Sequence, residues 1–185
     1  MNSFYKEDEL AALGLRKYGE NVLISKKCSL YGAEKMSFGS NVRIDDFCIL
    51  SGSIVLGSYI HISAYTGFFA GMYNISLENF CTVSSRCVIY AENDDYSGAS
   101  PTNPMIPEEY RITQGGDVSL KRHVIIGSGC TVLPNVTIGE GAAVGAMSLI
   151  VKDIPEWSIY AGIPCRLIKQ RSKKLLGMLP REKFQ

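Results

Sequence analysis

An aliphatic or aromatic residue recurs every six positions along this chain, at Phe38, Ile44, Leu50, Leu56, Ile62 and Phe68, and again at Leu120, Ile126, Val132, Ile138, Val144 and Ile150. Neither the 3.6-residue helical period nor the two-residue strand alternation produces that spacing. Shorter runs keep the same period at Tyr18, Ile24 and Leu30 and at Leu77, Val83 and Ile89, with slips near Lys35 and Met72. Repetition at a fixed period is the signature of a solenoid, in which each unit buries its apolar side only against its neighbours.

A second column follows four residues behind the first. Small or β-branched side chains stand there at Val42, Cys48, Ile54, Thr66, Val124, Cys130, Val136, Ala142 and Ser148. Glycine often follows the first column, as at Gly39, Gly57, Gly127, Gly139 and Gly145, where it permits a tight corner. Two inward places per hexad give one short strand and one corner, and three hexads close a triangular coil. Residues eighteen apart then stack, Leu120 on Ile138, Ile126 on Val144 and Val132 on Ile150, and each burial stabilises by roughly 1.5–3 kcal/mol. The period predicts an all-β parallel β-helix of roughly six coils over residues 18–155. A helix is expected from Tyr5 to Leu13, ending at Gly14, and another from Arg171 to Leu179, ending before Pro180. The whole chain, 1–185, is expected to be one domain, with 1–17 as N-terminal helix and 156–185 as C-terminal tail and helix.

Composition excludes several functions. With 19 basic and 18 acidic residues the formal charge is +1, so nothing draws the chain to nucleic acid or to an anionic membrane. The polar, acidic N-terminus does not read as a signal peptide, and no apolar run reaches membrane-spanning length, so a cytoplasmic protein without membrane insertion is expected. Five of the six cysteines, Cys28, Cys48, Cys81, Cys87 and Cys130, fall in the second column, without metal-ligand spacing. They are expected to be small core hydrophobes, and no metal site is expected.

Between Ile89 and Leu120 the period stops. Residues 91–117 form a polar stretch with Pro101, Pro104 and Pro107, and a loop of that length inside a compact domain is usually functional.

The C-terminal hexads carry Val124-Ile125-Ile126-Gly127-Ser128-Gly129, Leu133-Pro134-Asn135-Val136-Thr137-Ile138-Gly139, Val144-Gly145-Ala146 and Val151-Lys152-Asp153-Ile154-Pro155. They end in Ala161-Gly162-Ile163-Pro164-Cys165-Arg166. On these motifs, the most specific part of a resemblance that covers almost the whole chain, the sequence resembles the left-handed β-helix, hexapeptide-repeat acyltransferases of the sugar O- and N-acetyltransferase type. Asp94-Asp95-Tyr96-Ser97-Gly98 with Thr102-Asn103-Pro104 resembles the subgroup of O-antigen and capsule biosynthesis that acetylates nucleotide-linked amino sugars.

The resemblance implies a left-handed coil, acetyl-CoA as acyl donor, a homotrimer, and a loop that carries the catalytic base to a cleft between chains. That base is a histidine in the family, and this loop has none. Asp94 stands nearest the expected place, with Asp95 and Glu92 beside it, and a carboxylate there would accept the proton of an attacking amine or anchor it. The competing account is a plain turn, since Asp, Ser and Gly favour turns for local reasons. An amine needs only deprotonation and alignment, whereas a hydroxyl needs a stronger base. The missing histidine therefore points to N-acetylation of a dTDP-linked amino-dideoxy sugar, with O-acetylation of a sugar or polysaccharide precursor as the alternative and a non-catalytic binding solenoid as a second. Carried over residue by residue, the coenzyme is expected at Ser128, Ala146, Val151, Lys152 and Arg166, with a backbone N–H near Gly127 or Gly145 on the thioester oxyanion. The acceptor is expected at His61, Tyr65 and Tyr96. His123 is expected at a surface or interface.

Overall fold

A computed structural model describes residues 3–178. Short parallel strands repeat coil after coil and pair only with the coil above and below. Along one face, Val22–Ile24 pairs with Val42–Ile44, that strand with Ile60–Ile62, then with Thr82–Val83, Ile125–Ile126 and Ala143–Val144. The predicted stacks appear in register: Leu120 on Ile138, Ile126 on Val144, Val132 on Ile150.

Both columns point inward. From Phe38 to Ile150 every first-column residue named above is buried, and so is every second-column residue. Tyr18, in the first coil, is 36% exposed. The cysteines of the second column do more than fill space. Cys48 Sγ donates to the Ser63 carbonyl at 3.2 Å, Cys87 to Gly127 at 3.1 Å and Cys130 to Gly145 at 3.1 Å, each in the next coil. Thr66 occupies the same column and its hydroxyl donates to the Ser84 carbonyl at 3.2 Å. The column is thus a row of short donors pinning the corner carbonyls of the following coil. Burial pushes the thiols of Cys28 and Cys81 up to about 12 and that of Cys48 to about 11, so they stay protonated and inert.

The corners require left-handed backbone. Asn41, Phe47, Tyr59, Tyr65, Phe80, His123 and Trp157 all have positive φ. At one corner this strain is offset by stacking: the Tyr59 ring lies on Phe80 at 5.0 Å, Phe80 on the His123 imidazole at 4.8 Å, and His123 against Trp157 at 6.4 Å. His123 is therefore a member of an aromatic stack on the coil surface. Burial and the neighbouring Arg122 lower its pKa.

The slips near Lys35 and Met72 are insertions at a single corner. The 3-10 turn Ala33–Lys35 fills one, and Gly71 to Tyr73 inside the strand Gly67–Leu77 bulges at the other. Residues joined between coils lie 18 apart at Ser40 and Ser58, 20 apart across the first insertion, and 21 across the second.

Three expectations need correction. The N-terminal helix is only Glu7–Ala11, because Phe4 bridges to Ser25 and the Tyr5 N–H donates to the Ile24 carbonyl at 2.9 Å, which ties the preceding residues to the first coil. The C-terminal helix expected from Arg171 to Leu179 is, among the described residues, a 3-10 turn at Lys174–Gly177; Leu179 and Pro180 lie outside them. Ahead of that turn the tail forms the antiparallel strands Ser158–Gly162 and Cys165–Gln170, and this hairpin is what covers the last coil. Arg171 then fastens it, its Nη1 donating to the carbonyls of His123 at 2.9 Å and Gly141 at 2.8 Å. Finally, the 91–117 stretch is not structureless, since Glu92–Asp94 pairs antiparallel with Thr113–Gly115 and a 3-10 turn spans Glu108–Tyr110.

Cys48→Ala should lower stability by about 1–2 kcal/mol, the sum of a small cavity and one lost hydrogen bond, while Cys48→Ser should lose less because it keeps a donor. Denaturant titration with an unchanged m-value checks the first claim. Turnover should be retained, and a hundredfold rate loss in a folded Cys48→Ala protein would overturn the structural role.

Candidate active site

The loop leaves the solenoid at the corner after the strand Val88–Tyr90 and returns before Val118–Leu120. Its base is anchored to the bulge beneath. Asp117 Oδ1 accepts from the Asn74 backbone N–H at 2.9 Å, and Glu92 Oε2 accepts from the Met72 N–H at 2.8 Å. A side chain at Gly71 would meet Glu92 Oε2 at 1.7 Å, so this anchoring depends on glycine there.

Asp94 closes the short antiparallel ladder opposite Thr113. Together with Asp95, Tyr96, Gln114, Asn135 and Val151 it lines an open cleft of about 390 Å³. No histidine lines that cleft. Asp94 is half-buried, and Tyr96, 92% exposed, stands at the mouth.

Asp95 behaves differently. It is buried, its Oδ1 accepts from the Ser97 N–H at 2.8 Å and its Oδ2 from the Ser100 N–H at 2.9 Å. Hydrogen bonds from Ser97, by side chain and by backbone, hold its carboxyl down at about 2. With both oxygens committed and so little basicity, Asp95 is the turn former of the loop and offers nothing to a proton in flight. The turn account therefore describes Asp95, while Asp94 keeps its carboxylate at the cleft.

The coenzyme candidates split into two groups. Val151 belongs to the loop cleft and also to an adjoining cleft of about 340 Å³ that contains Lys152, Arg166, Tyr160 and Cys165. Ser128 and Ala146 lie on the other corner, before the strands Thr131–Val132 and Leu149–Ile150 rather than after them. Ser85 Oγ donates to Ser128 Oγ at 3.5 Å, and exposed Ala146 sits above them, so small residues run along that corner. A side chain at Gly127 would meet the Ala146 nitrogen at 2.5 Å. The oxyanion expectation fails for both named glycines. The Gly127 N–H donates to the Val144 carbonyl and the Gly145 N–H to the Tyr160 carbonyl, each at 2.8 Å, so the coil ladder uses both.

Tyr65 shares the Ser128 corner, lower in the stack, and His61 points outward from the strand Ile60–Ile62 that leads into it. Tyr65, 58% exposed, stacks on Phe47 with ring centroids 5.0 Å apart. His61 Nε2 lies 2.8 Å from Asp45 Oδ2, and Arg43 Nε donates to Asp45 Oδ1 at 2.7 Å. No motif or spacing marked Asp45, nor Ser84 on the same corner one coil above Ser63. Thus the candidate residues fall into two groups on one chain, flanking the face built on the strand Val88–Tyr90. One holds Asp94, Tyr96, Val151, Lys152 and Arg166; the other holds His61, Tyr65, Ser84, Ser128 and Ala146.

The depressed Asp95 carboxyl gives the loop a pH signature. A group whose pKa is lowered on folding stabilises above its unfolded value and loses that contribution as pH falls through the folded one. Hydrogen-exchange protection at Ser97 and Ser100 should therefore fade between about pH 4 and pH 2, where Asp95 takes up its proton, before the coil amides lose theirs. Simultaneous loss over loop and coils would show that Asp95 does not hold the loop separately.

Comparison with known proteins agrees with this architecture. Residues 117–152 match the family described as bacterial transferase hexapeptide (six repeats). The chain is 43% identical over 179 residues to dTDP-4-amino-4,6-dideoxy-D-glucose acyltransferase of Escherichia coli, covering 95% of this chain and 93% of that one. It is 28% identical over 148 residues, 77% of this chain and 72% of the other, to the putative lipopolysaccharide biosynthesis O-acetyl transferase WbbJ of Escherichia coli K12. Among solved structures, AntD, an N-acyltransferase from Bacillus cereus in complex with dTDP and 3-hydroxybutyryl-CoA, superposes with a TM-score of 0.94 at 49% identity, over 96% of this chain and 95% of the other. An S84C variant of AntD holds dTDP-4-amino-4,6-dideoxyglucose and coenzyme A together, with the same TM-score, identity and coverage. By its repeat, its extruded loop and this full-length likeness, the chain belongs to the hexapeptide-repeat acyltransferases.

Proposed function

We propose that this enzyme transfers an acetyl group from acetyl-CoA to the amine of a dTDP-linked amino-dideoxy sugar, as a cytoplasmic homotrimer supplying O-antigen or capsule precursors. The observation that carries the proposal is Asp94, a carboxylate at the mouth of a loop cleft that no histidine lines, in a chain like AntD from end to end. AntD has been solved with substitutions at an aspartate and a serine whose numbers and types coincide with Asp94 and Ser84 of this chain.

Those two residues stand on different corners, so a site using both draws them from two chains. The loop supports that arrangement. Tyr96, Met105, Tyr110 and Ile112 project from it exposed, and Arg111 Nε is buried with no hydrogen-bond partner among the described residues, a state a neighbouring chain would relieve. Each site then combines the loop of one chain with the serine corner of the next.

In this reading the work divides as follows. Lys152 and Arg166 supply cations for the coenzyme's phosphates at one end, and the small corner of Ser128 and Ala146 lets the pantetheine arm lie close to backbone. His61, Tyr65 and Tyr96 hold the acceptor. Asp94 receives the ammonium form of the sugar amine through a charge-assisted hydrogen bond and aims it at the thioester carbonyl. Once the ammonium has lost one proton to solvent, the neutral amine adds to that carbon, the C–S bond breaks, and coenzyme A leaves as the thiol with the second nitrogen proton.

Asp94→Asn keeps the shape of the side chain and removes its charge. It should lower kcat/KM for the amino sugar by roughly 10²–10⁴-fold and leave coenzyme affinity nearly unchanged. Thiol release monitored with dTDP-, UDP- and GDP-amino sugars tests both the role and the acceptor class. Near-normal turnover of Asp94→Asn would remove it from the reaction. Sedimentation should give a trimer, and a fully active monomer would sink the shared site.

A further inference from the structure

The acceptor amine must lose a proton, and the loop cleft holds no group suited to keep it. Asp94 in its ionised form pairs well with an ammonium, yet a carboxylate is a weak proton acceptor at neutral pH. Imidazole is the side chain whose ordinary basicity suits that transfer. The chain has two histidines, and His123 is sandwiched between Phe80 and Trp157 in the aromatic stack of another corner.

His61 is held in a different way. The strand Ile60–Ile62 turns its neighbours Ile60 and Ile62 into the core and leaves His61 outward, with 42% of its side chain exposed. Asp45, 18% exposed, lies between the His61 ring and the Arg43 guanidinium and takes one hydrogen bond from each. Burial pushes the Asp45 carboxyl up, but the hydrogen bonds from Arg43 and His61 outweigh it and keep the group below its ordinary value. An ionised carboxylate can only accept, so Nε2 of His61 carries the proton and Nδ1 presents a lone pair. That is the arrangement in which a carboxylate fixes the tautomer and angle of a general base. The charged groups facing the ring are Asp45 and, through it, Arg43 of the strand Val42–Ile44; the strand on its other side, Thr82–Val83, presents Thr82. Thr82 pairs with His61, and Ser84 follows two residues on, so His61 and Ser84 belong to adjoining coils.

We propose that His61 is the proton acceptor of the reaction, with Asp45 as its positioning residue, and that Asp94 of the neighbouring loop serves as the anchor of the amine. This rests on the amino-sugar acyltransferase activity and the two-chain site proposed above. The anchored ammonium first gives one proton to His61 Nδ1, which releases it to solvent; as the C–N bond forms, the neutral amine's remaining surplus proton passes to His61 Nδ1 in turn. When the C–S bond breaks, the proton is delivered to the departing thiolate, so the enzyme ends each cycle with neutral His61 and free coenzyme A thiol.

The test begins with wild-type transfer from acetyl-CoA to dTDP-4-amino-4,6-dideoxyglucose. If the wild type is silent toward that amine, the activity proposed above fails and this inference falls with it. If it is active, His61→Asn should lose roughly 10²–10⁴-fold in kcat at neutral pH, with the loss shrinking as pH rises and the amine arrives already deprotonated. Imidazole added to His61→Gly should restore part of the rate. Asp45→Asn, which keeps the side-chain shape, should lower kcat by about tenfold or more and alter the pH profile while the KM for acetyl-CoA stays put. Asp94→Asn should lower the rate without changing the form of that profile. A folded His61→Asn or Asp45→Asn protein with wild-type kcat and wild-type pH dependence would overturn the inference.

Discussion

Everything in this molecule hangs on the hydrogen-bonded stacking of one coil on the next. Each short strand is too small to be stable alone and gains its partners only from the coils above and below. Because the strands run parallel and in register, a residue at a given place in one coil stands over its counterpart in the next. Corners consequently become columns, and a column is the means by which this fold builds a surface. The cysteine and threonine donors show the same logic inside, where each thiol or hydroxyl meets a corner carbonyl one coil further on.

The same stacking explains how a long loop is tolerated. The ladder resumes across it without a shift, Leu77 beside Leu120 and Ile89 beside Val132, so the insertion costs the solenoid no internal contact. What the loop lacks in coil neighbours it makes good with its own antiparallel ladder, the Asp95 turn and the Glu92 and Asp117 anchors. Two adjacent aspartates end with opposite duties for this reason. Asp95 has its oxygens filled by backbone N–H groups and is fixed as an anion, whereas Asp94 is left facing the cleft.

Separation of the two candidate groups by one face of the triangle follows from the same geometry. A solenoid of packed side chains offers no interior cavity, so chemistry must occur on its outside, where a concave site requires a second surface. The loop of another copy provides that surface in the proposed arrangement. The corner facing it carries Ser84 and Ser128, with the Arg43, Asp45 and His61 group on the strands that lead into it, polar side chains drawn from successive coils although far apart in sequence.

The sequence by itself determined the solenoid, the two inward columns, the eighteen-residue stacking and the place where the loop departs, since periodic burial is a local pattern that survives in one dimension. It also marked Asp94 and the clefts around Val151, Lys152 and Arg166, through motifs that are short and contiguous. The C-terminal hairpin was not legible, because the six-residue period ends before it and its first strand is set by the exposed edge of the last coil, which takes up Ser158–Gly162 as a further strand. Nor was the difference between Asp94 and Asp95, which depends on which backbone N–H groups the folded loop aims at each carboxylate. Asp45 was equally silent. Sixteen residues separate it from His61, and only the winding of one coil onto the next brings the carboxylate to 2.8 Å from the imidazole.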